Sequence, residues 1–131
     1  MVSIIVCTYN DSQYLSRALN SCLIQNIEKE IILIDDCSTI PMNPKVIKLL
    51  EENKNSISLI RHKVNSGLSA ARNTGIAAAK YDLVIPLDSD DFLFPRSIRT
   101  LAHYIDNNHD IFYGIVDFRN YVLYVVRREN H

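Results

Sequence analysis

The sequence predicts an α/β sandwich of three layers with a mainly parallel central sheet. Apolar runs rich in β-branched residues alternate with stretches of helical periodicity, from Val2 to the end of the chain. Polar clusters follow directly on several of the apolar runs, as expected where parallel strands end in loops at one edge of a sheet. The 131 residues suit a single domain, 1–131, and leave no room for two ordinary ones. A hydrophobic content of 47% supplies one shared core and excludes a disordered chain.

Val2 to Thr8 reads as a first strand buried on both faces. Asp11 or Ser12 is placed to cap the helix that follows, whose apolar face is Leu15, Ala18, Leu19, Cys22 and Leu23. Ile31 to Ile34 form the second strand, ending at Asp35-Asp36. Asn43-Pro44 is an N-cap followed by proline at the first helical position, with Val46, Ile47 and Leu50 as the buried face. Ile57 to Arg61 form a short third strand, and Leu68 to Lys80 an alanine-rich helix that can lie close against a sheet. Gly75 inside that helix costs roughly 1 kcal/mol against alanine, which points to close packing there. Leu83 to Leu87 form the fourth strand, in which Pro86 should leave a gap in the ladder. Pro95 opens another helix with Ile98, Leu101, Ala102 and Ile105 inward. Ile111 to Val116 and Tyr121 to Val126 complete the strands.

Several function classes lose support at this stage. With 14 basic and 15 acidic residues and a net charge of −1, nothing suggests nucleic acid binding, and Arg127-Arg128 reads as a solvated terminus. Cys7, Cys22 and Cys37 have no zinc spacing and read as small residues of a reducing compartment. His62, His103, His109 and His131 form no local constellation. The N-terminus has no signal-peptide pattern and no run is long enough to span a membrane. The chain therefore reads as cytoplasmic, with peripheral attachment at the inner membrane face left open.

The chemistry concentrates in polar clusters after the first, second and fourth strands: Thr8-Tyr9-Asn10, Asp35-Asp36 with Ser38, and Asp88-Ser89-Asp90-Asp91. Parallel strands bring all of them to one crevice. Three aspartates within four residues repel one another, and a hard cation such as Mn²⁺ or Mg²⁺ offsets that repulsion. The alternative is a solvated loop in which Asp91 caps the next helix. Asp35-Asp36 reads either as a strand end or as an acceptor for a base N–H or ribose hydroxyl. Gly67 permits a tight turn into the alanine-rich helix, from which Arg72 can reach phosphate or a base carbonyl or simply stand exposed. Tyr14 reads as rim or core packing beside the first cluster.

These residues resemble the family 2 inverting glycosyltransferases of the Rossmann-like GT-A fold. The likeness rests on Val2 to Asn10, Ile34-Asp35-Asp36-Cys37-Ser38-Thr39, Asn65-Ser66-Gly67 with Ala71-Arg72-Asn73-Thr74-Gly75, and Leu87-Asp88-Ser89-Asp90-Asp91 with Pro95, in the family's order over about residues 2–113. The resemblance implies a nucleotide-diphosphate sugar donor, usually a UDP-sugar, and a saccharide, lipid or protein acceptor. It implies a nucleoside pocket lined by Thr8, Tyr9 and Asn10, a base contact at Asp36, and Arg72 toward the base or diphosphate. Asp88-Ser89-Asp90 matches the DXD motif, with Asp88 and Ser89 toward the donor and Asp90 on the metal. The family often carries Gly at position 37 and a further Asp near position 40, where this chain has Cys37 and Ile40. Its catalytic base lies in a second half with the acceptor site, so the sequence reads as the truncated, donor-binding part. Asp110 and Asp117 are available by type but sit in no matching motif.

The expected chemistry is inverting, single-displacement glycosyl transfer. One rival is a noncatalytic nucleotide-sugar-binding module. Another is a phosphohydrolase with Asp88 as nucleophile and Asp90 as acid, but such enzymes place their acidic pair after an early strand and this run follows the fourth.

Overall fold

The computed structural model of the protein describes residues 1–104, 111–115 and 122–127, with side chains as far as Thr100. The elements run β1 (Val2–Thr8), α1 (Leu15–Leu23), β2 (Lys29–Asp35), α2 (Pro44–Glu52), β3 (Ile57–Arg61), α3 (Leu68–Ala78), β4 (Leu83–Asp88), α4 (Ser97–Tyr104), β5 (Ile111–Ile115) and β6 (Val122–Arg127). They form one sheet in the order β3-β2-β1-β4-β6-β5. β1 to β4 are mutually parallel, while β6 runs antiparallel to both β4 and β5. The chain winds outward from β1 to β3 and returns on the other side of β1 at β4. The reversal of strand order therefore falls between β1 and β4, the position beyond whose carboxyl ends such sheets bind their ligands.

Alternation along β1 divides the core. Val2, Ile4 and Val6 pack with Leu15, Ala18, Leu19 and Cys22 of α1, Val46 of α2 and Ile98 of α4. Ile5 and Cys7 point to the other face, against Ile32, Ile34, Val84 and Ala71 of α3. The central strands are apolar on both faces because helices cover both, which is why β1 reads as a continuous run.

The N-cap expected at Asn43 is present: its side chain accepts the Lys45 N–H at 2.9 Å and Pro44 occupies the first turn. Other boundaries move. Neither Asp11 nor Ser12 caps α1, which starts at Leu15 with no side-chain cap bond. Asn10 lies in the left-handed region (φ 52°), and the turn it makes delays the helix. The Ser12 hydroxyl instead accepts the Asn43 N–H, and the Asp11 carbonyl accepts the Thr8 hydroxyl. On α2 the inward residues are Val46, Leu49 and Leu50, while Ile47 is exposed. α3 ends at Ala78 rather than Lys80, because Ala79 turns extended and buries against the sheet. α4 begins at Ser97 rather than Pro95, since Arg96 adopts a left-handed φ of 66° that no α-helix contains. The ladder from β4 to β6 pairs only Leu83 and Val84 and stops before Pro86. Ile98 is buried as expected, whereas the side chains of Leu101, Ala102 and His103, and residues Ile105, His109, Val116, Tyr121, Arg128 and His131, lie outside what is described.

Gly75 shows why α3 needs a residue without a side chain. A Cβ there would lie 2.3 Å from Ile5 Cγ2 on the central strand. That methyl belongs to a β-branched side chain locked in the core, so it cannot swing away. Gly75→Ala gains roughly 1 kcal/mol of helix propensity but incurs an overpacking cost of about 1–3 kcal/mol. We expect net destabilisation, read as a lower urea midpoint at an unchanged slope; a midpoint equal to or above wild type would contradict this packing.

Candidate active site at the carboxyl edge

The strand register sets the geometry. Thr8 pairs with Asp35, and Cys7 with Asp88, so the tips of β2, β1 and β4 lie side by side. The polar clusters predicted to converge do so. Cys7, whose thiol burial pushes up to about 11, feels the charges of Arg72, Asp88 and Asp36 together.

Asn10 fastens the β1 tip to the loop after β2. Its backbone N–H donates to Ser38 Oγ at 2.9 Å, and its Oδ1 accepts the N–H groups of Thr39 and Ile40 at 2.8 and 3.0 Å. Cys37 in that loop takes a left-handed φ of 66°, the conformation that explains why glycine suits this position. Between the two tips lies a recess bordered by Thr8, Asn10, Asp35, Ser38 and Met42. Tyr9 and Tyr14 are exposed, and Tyr14 lies under the Arg17 guanidinium.

The two acids ending β2 have different partners. Asp35 is 0% exposed; its Oδ1 accepts the Ser38 N–H at 2.9 Å, and Arg61 of β3 sits 2.7 Å from its Oδ2. That ion pair leaves Oδ2 without an aligned hydrogen bond. Asp36, 4% exposed, is the hub of the loop from β3 to α3. Its Oδ1 accepts the Ser66 N–H at 2.9 Å and faces His62 Nδ1 at 2.7 Å, and its Oδ2 accepts the Gly67 N–H at 2.8 Å. Gly67, at φ 91° and ψ 165°, holds a conformation open essentially to glycine alone. His62 Nε2 lies 2.8 Å from Thr74 Oγ1 on α3. His62, expected to have no constellation, thus links β2, β3 and α3. The signal that could have found it is its position one residue past a parallel strand, at the same edge as Asp36.

At the β4 tip, Arg72 Nη2 donates to Asp88 Oδ1 at 2.7 Å, so the two residues singled out separately form one ion pair. Ser89 is buried and Asp90 exposed. Asp88, Asp90 and Asp91 bring carboxylate oxygens within 4.8 Å of one another. Asp91 is no helix cap: α4 starts at Ser97, and the Asp91 N–H closes a turn onto the Asp88 carbonyl. Burial raises the proton affinity of Asp91, Asp90 and Asp88 raise it further, and Arg17 opposes them. Three hard oxygen donors whose charges oppose one another suit a divalent cation such as Mn²⁺ or Mg²⁺. Asp110 and Asp117 lie outside the described residues.

Burial pushes the Asp36 carboxyl up, but hydrogen bonds from Ser66, His62 and Gly67, with the His62 charge, outweigh it and hold the group below the usual carboxylate range. A depressed folded value adds stability above the unfolded value of about 3.9, and this is lost as pH falls through the folded value. Asp36→Asn should therefore flatten the acid side of the stability profile, measured as urea midpoints from about pH 6 to pH 2; parallel profiles would refute the assignment. Cys37→Gly should stabilise by about 0.5–1 kcal/mol, the left-handed penalty of about 1–2 less the chain-entropy cost of glycine. The same denaturation measurement checks it.

Comparison with known proteins agrees with this geometry. The Glycosyl transferase family 2 model matches residues 3–131. Poly(ribitol-phosphate) beta-N-acetylglucosaminyltransferase TarP of Staphylococcus aureus is 36% identical over 118 residues, spanning 86% of this chain and 36% of TarP. The S. aureus TarS structure in complex with UDP-GlcNAc superposes with a TM-score of 0.72 at 30% identity, over 84% of this chain and 32% of that one. The mannosyltransferase PcManGT from Pyrobaculum calidifontis, in complex with GDP-Man and Mn²⁺, shares the fold with a TM-score of 0.79 at 20% identity, over 97% of this chain and 44% of its own. The chain thus spans about a third of the length of TarP and of the TarS structure. With its DXD-like cluster on a GT-A sheet, the chain belongs to glycosyl transferase family 2.

Proposed function

We propose that this chain binds a nucleotide-diphosphate sugar at the β1–β4 crevice and serves metal-dependent, inverting transfer of the sugar to an acceptor hydroxyl. The observation that carries the reading is the joined site at the β4 tip: carboxylates of Asp88, Asp90 and Asp91 within 4.8 Å, with Arg72 bound to Asp88. Asp90 is exposed and most available to a cation, and Asp88 and Asp91 complete the donor set. A bound divalent ion would neutralise charge on the departing nucleotide diphosphate. Arg72, anchored by Asp88, presents its remaining N–H groups to the same diphosphate. In this reading the nucleoside lies against the surface around Thr8, Asn10 and Ser38, where the exposed Tyr9 ring is available to stack.

Asp36 is engaged by Ser66, His62 and Gly67 and acts by holding the loop that leads to Arg72. Asp35, 0% exposed and paired with Arg61, acts as the buried anchor of the β2 tip. The 30% identical TarS structure with UDP-GlcNAc supports a UDP-sugar donor and makes UDP-GlcNAc the first to test.

Calorimetry with UDP and Mn²⁺ is the direct test. We expect UDP binding that requires the metal and weakens about 100-fold or more in Asp90→Ala, beyond the 10–100-fold typical of residues behind a metal ligand. Binding that ignores both metal and Asp90 would refute the site. Donor turnover with saccharide acceptors, with the product anomer read by NMR, then separates inverting transfer from a binding module.

A further inference from the structure

We propose that one stripe of α1 and its extension, formed by Arg17, Ser21 and Gln25, holds the segment after β4 in place, and that Arg17 is the positioning residue for the carboxylate cluster. This rests on the metal reading of Asp88, Asp90 and Asp91 given above.

Arg17 and Ser21, four residues apart, share one face of α1, and Gln25 follows two residues after its end. Their side chains meet the backbone of the next segment in order. Arg17 Nη2 donates to the Asp90 carbonyl at 2.6 Å. Ser21 Oγ accepts the Leu93 N–H at 2.9 Å. Gln25 Nε2 donates to the Phe94 carbonyl at 2.8 Å, and its Oε1 accepts the Ile98 N–H at 3.3 Å. Residues 89–96 belong to no helix or strand, so these backbone groups need partners from elsewhere. α1 supplies them.

The three rungs differ in kind. Ser21 and Gln25 are buried, and truncating either strands polar groups in the core. Arg17 is exposed, and without it the Asp90 carbonyl simply returns to water. Its place is nevertheless well defined, because its guanidinium carbon lies 5.0 Å from the ring centroids of both Tyr14 and Phe92. Arg17 therefore contributes little to global stability but fixes the backbone from which the Asp90 carboxylate projects.

Two physical roles predict opposite signs. If Arg17 acted only as a charge, removing it would relieve repulsion toward a cation and tighten metal binding. If it positions the loop, removing it loosens the ligand set and weakens binding. Mn²⁺ titrations followed by EPR, on the protein without donor, distinguish them. We expect Arg17→Met to weaken Mn²⁺ binding about 10-fold, with an unchanged urea midpoint, as for other residues that orient a ligand. Arg17→Lys keeps the charge but not the planar stacking fork, and should also weaken binding. Equal or tighter binding in both variants overturns the proposal while leaving the metal site intact. If wild type and Asp90→Ala bind Mn²⁺ equally, the metal reading itself fails. Should Arg17→Met not fold, the same titration on Arg17→Lys decides: weaker Mn²⁺ binding supports the proposal, and equal or tighter binding overturns it.

Discussion

The parallel register of β1 against its two neighbours is the constraint on which the site depends. Thr8 opposite Asp35 and Cys7 opposite Asp88 are consequences of hydrogen-bonded ladders, and a slip of one residue would turn each strand's side chains to the wrong face. The register is held by core residues of both faces, Ile4 and Val6 on one and Ile5 and Cys7 on the other. Gly75 adds to it from above, since only a residue without Cβ lets α3 settle onto Ile5. Residues far from the chemistry thus decide where the carboxylates stand.

Bringing strand tips together also buries charge, which is costly unless each group finds a partner. The chain answers with local devices. Asp35 is met by Arg61 on the neighbouring strand and by the Ser38 N–H, and Asp36 by two backbone N–H groups and His62. Two non-glycine residues, Asn10 and Cys37, take left-handed conformations in the same loops. Asn10 suits this, because its short amide accepts N–H groups of the facing loop; Cys37 has only a weak contact from its Sγ to the Lys63 carbonyl at 3.4 Å. Strain of this sort is tolerated where surrounding bonds over-determine the backbone.

Much of this was legible in the residues. The alternation of apolar runs and helical faces locates every strand among the described residues, and polar clusters after parallel strands imply a common edge. Asn43-Pro44 announced its helix start because both signals are local. The reading went astray where a boundary depends on backbone that no periodicity reports. The left-handed Asn10 delays α1, the left-handed Arg96 delays α4, and Asp91 closes a turn instead of capping a helix. The partners of His62 and Arg17 were hidden for another reason. They join residues separated by 12, 26 and 73 positions, and only the assembled sheet makes them neighbours.

The assembled sheet also shows how the β4 tip is held. α3 lies on one face and sends Arg72 to the Asp88 carboxylate; α1 lies on the other and sends Arg17 to the Asp90 carbonyl. The two arginines act differently. Arg72 pairs with a carboxylate directly, while Asp91 holds its proton more tightly than usual because it is partly buried and close to both Asp90 and Asp88. Arg17 binds a neutral carbonyl rather than a carboxylate, and Asp90 stays exposed. A loop gripped this way from both layers keeps three carboxylates close together although one of them, Asp88, is already paired with Arg72. Such an arrangement suits a divalent cation, whose binding would relieve the repulsion among the three carboxylates.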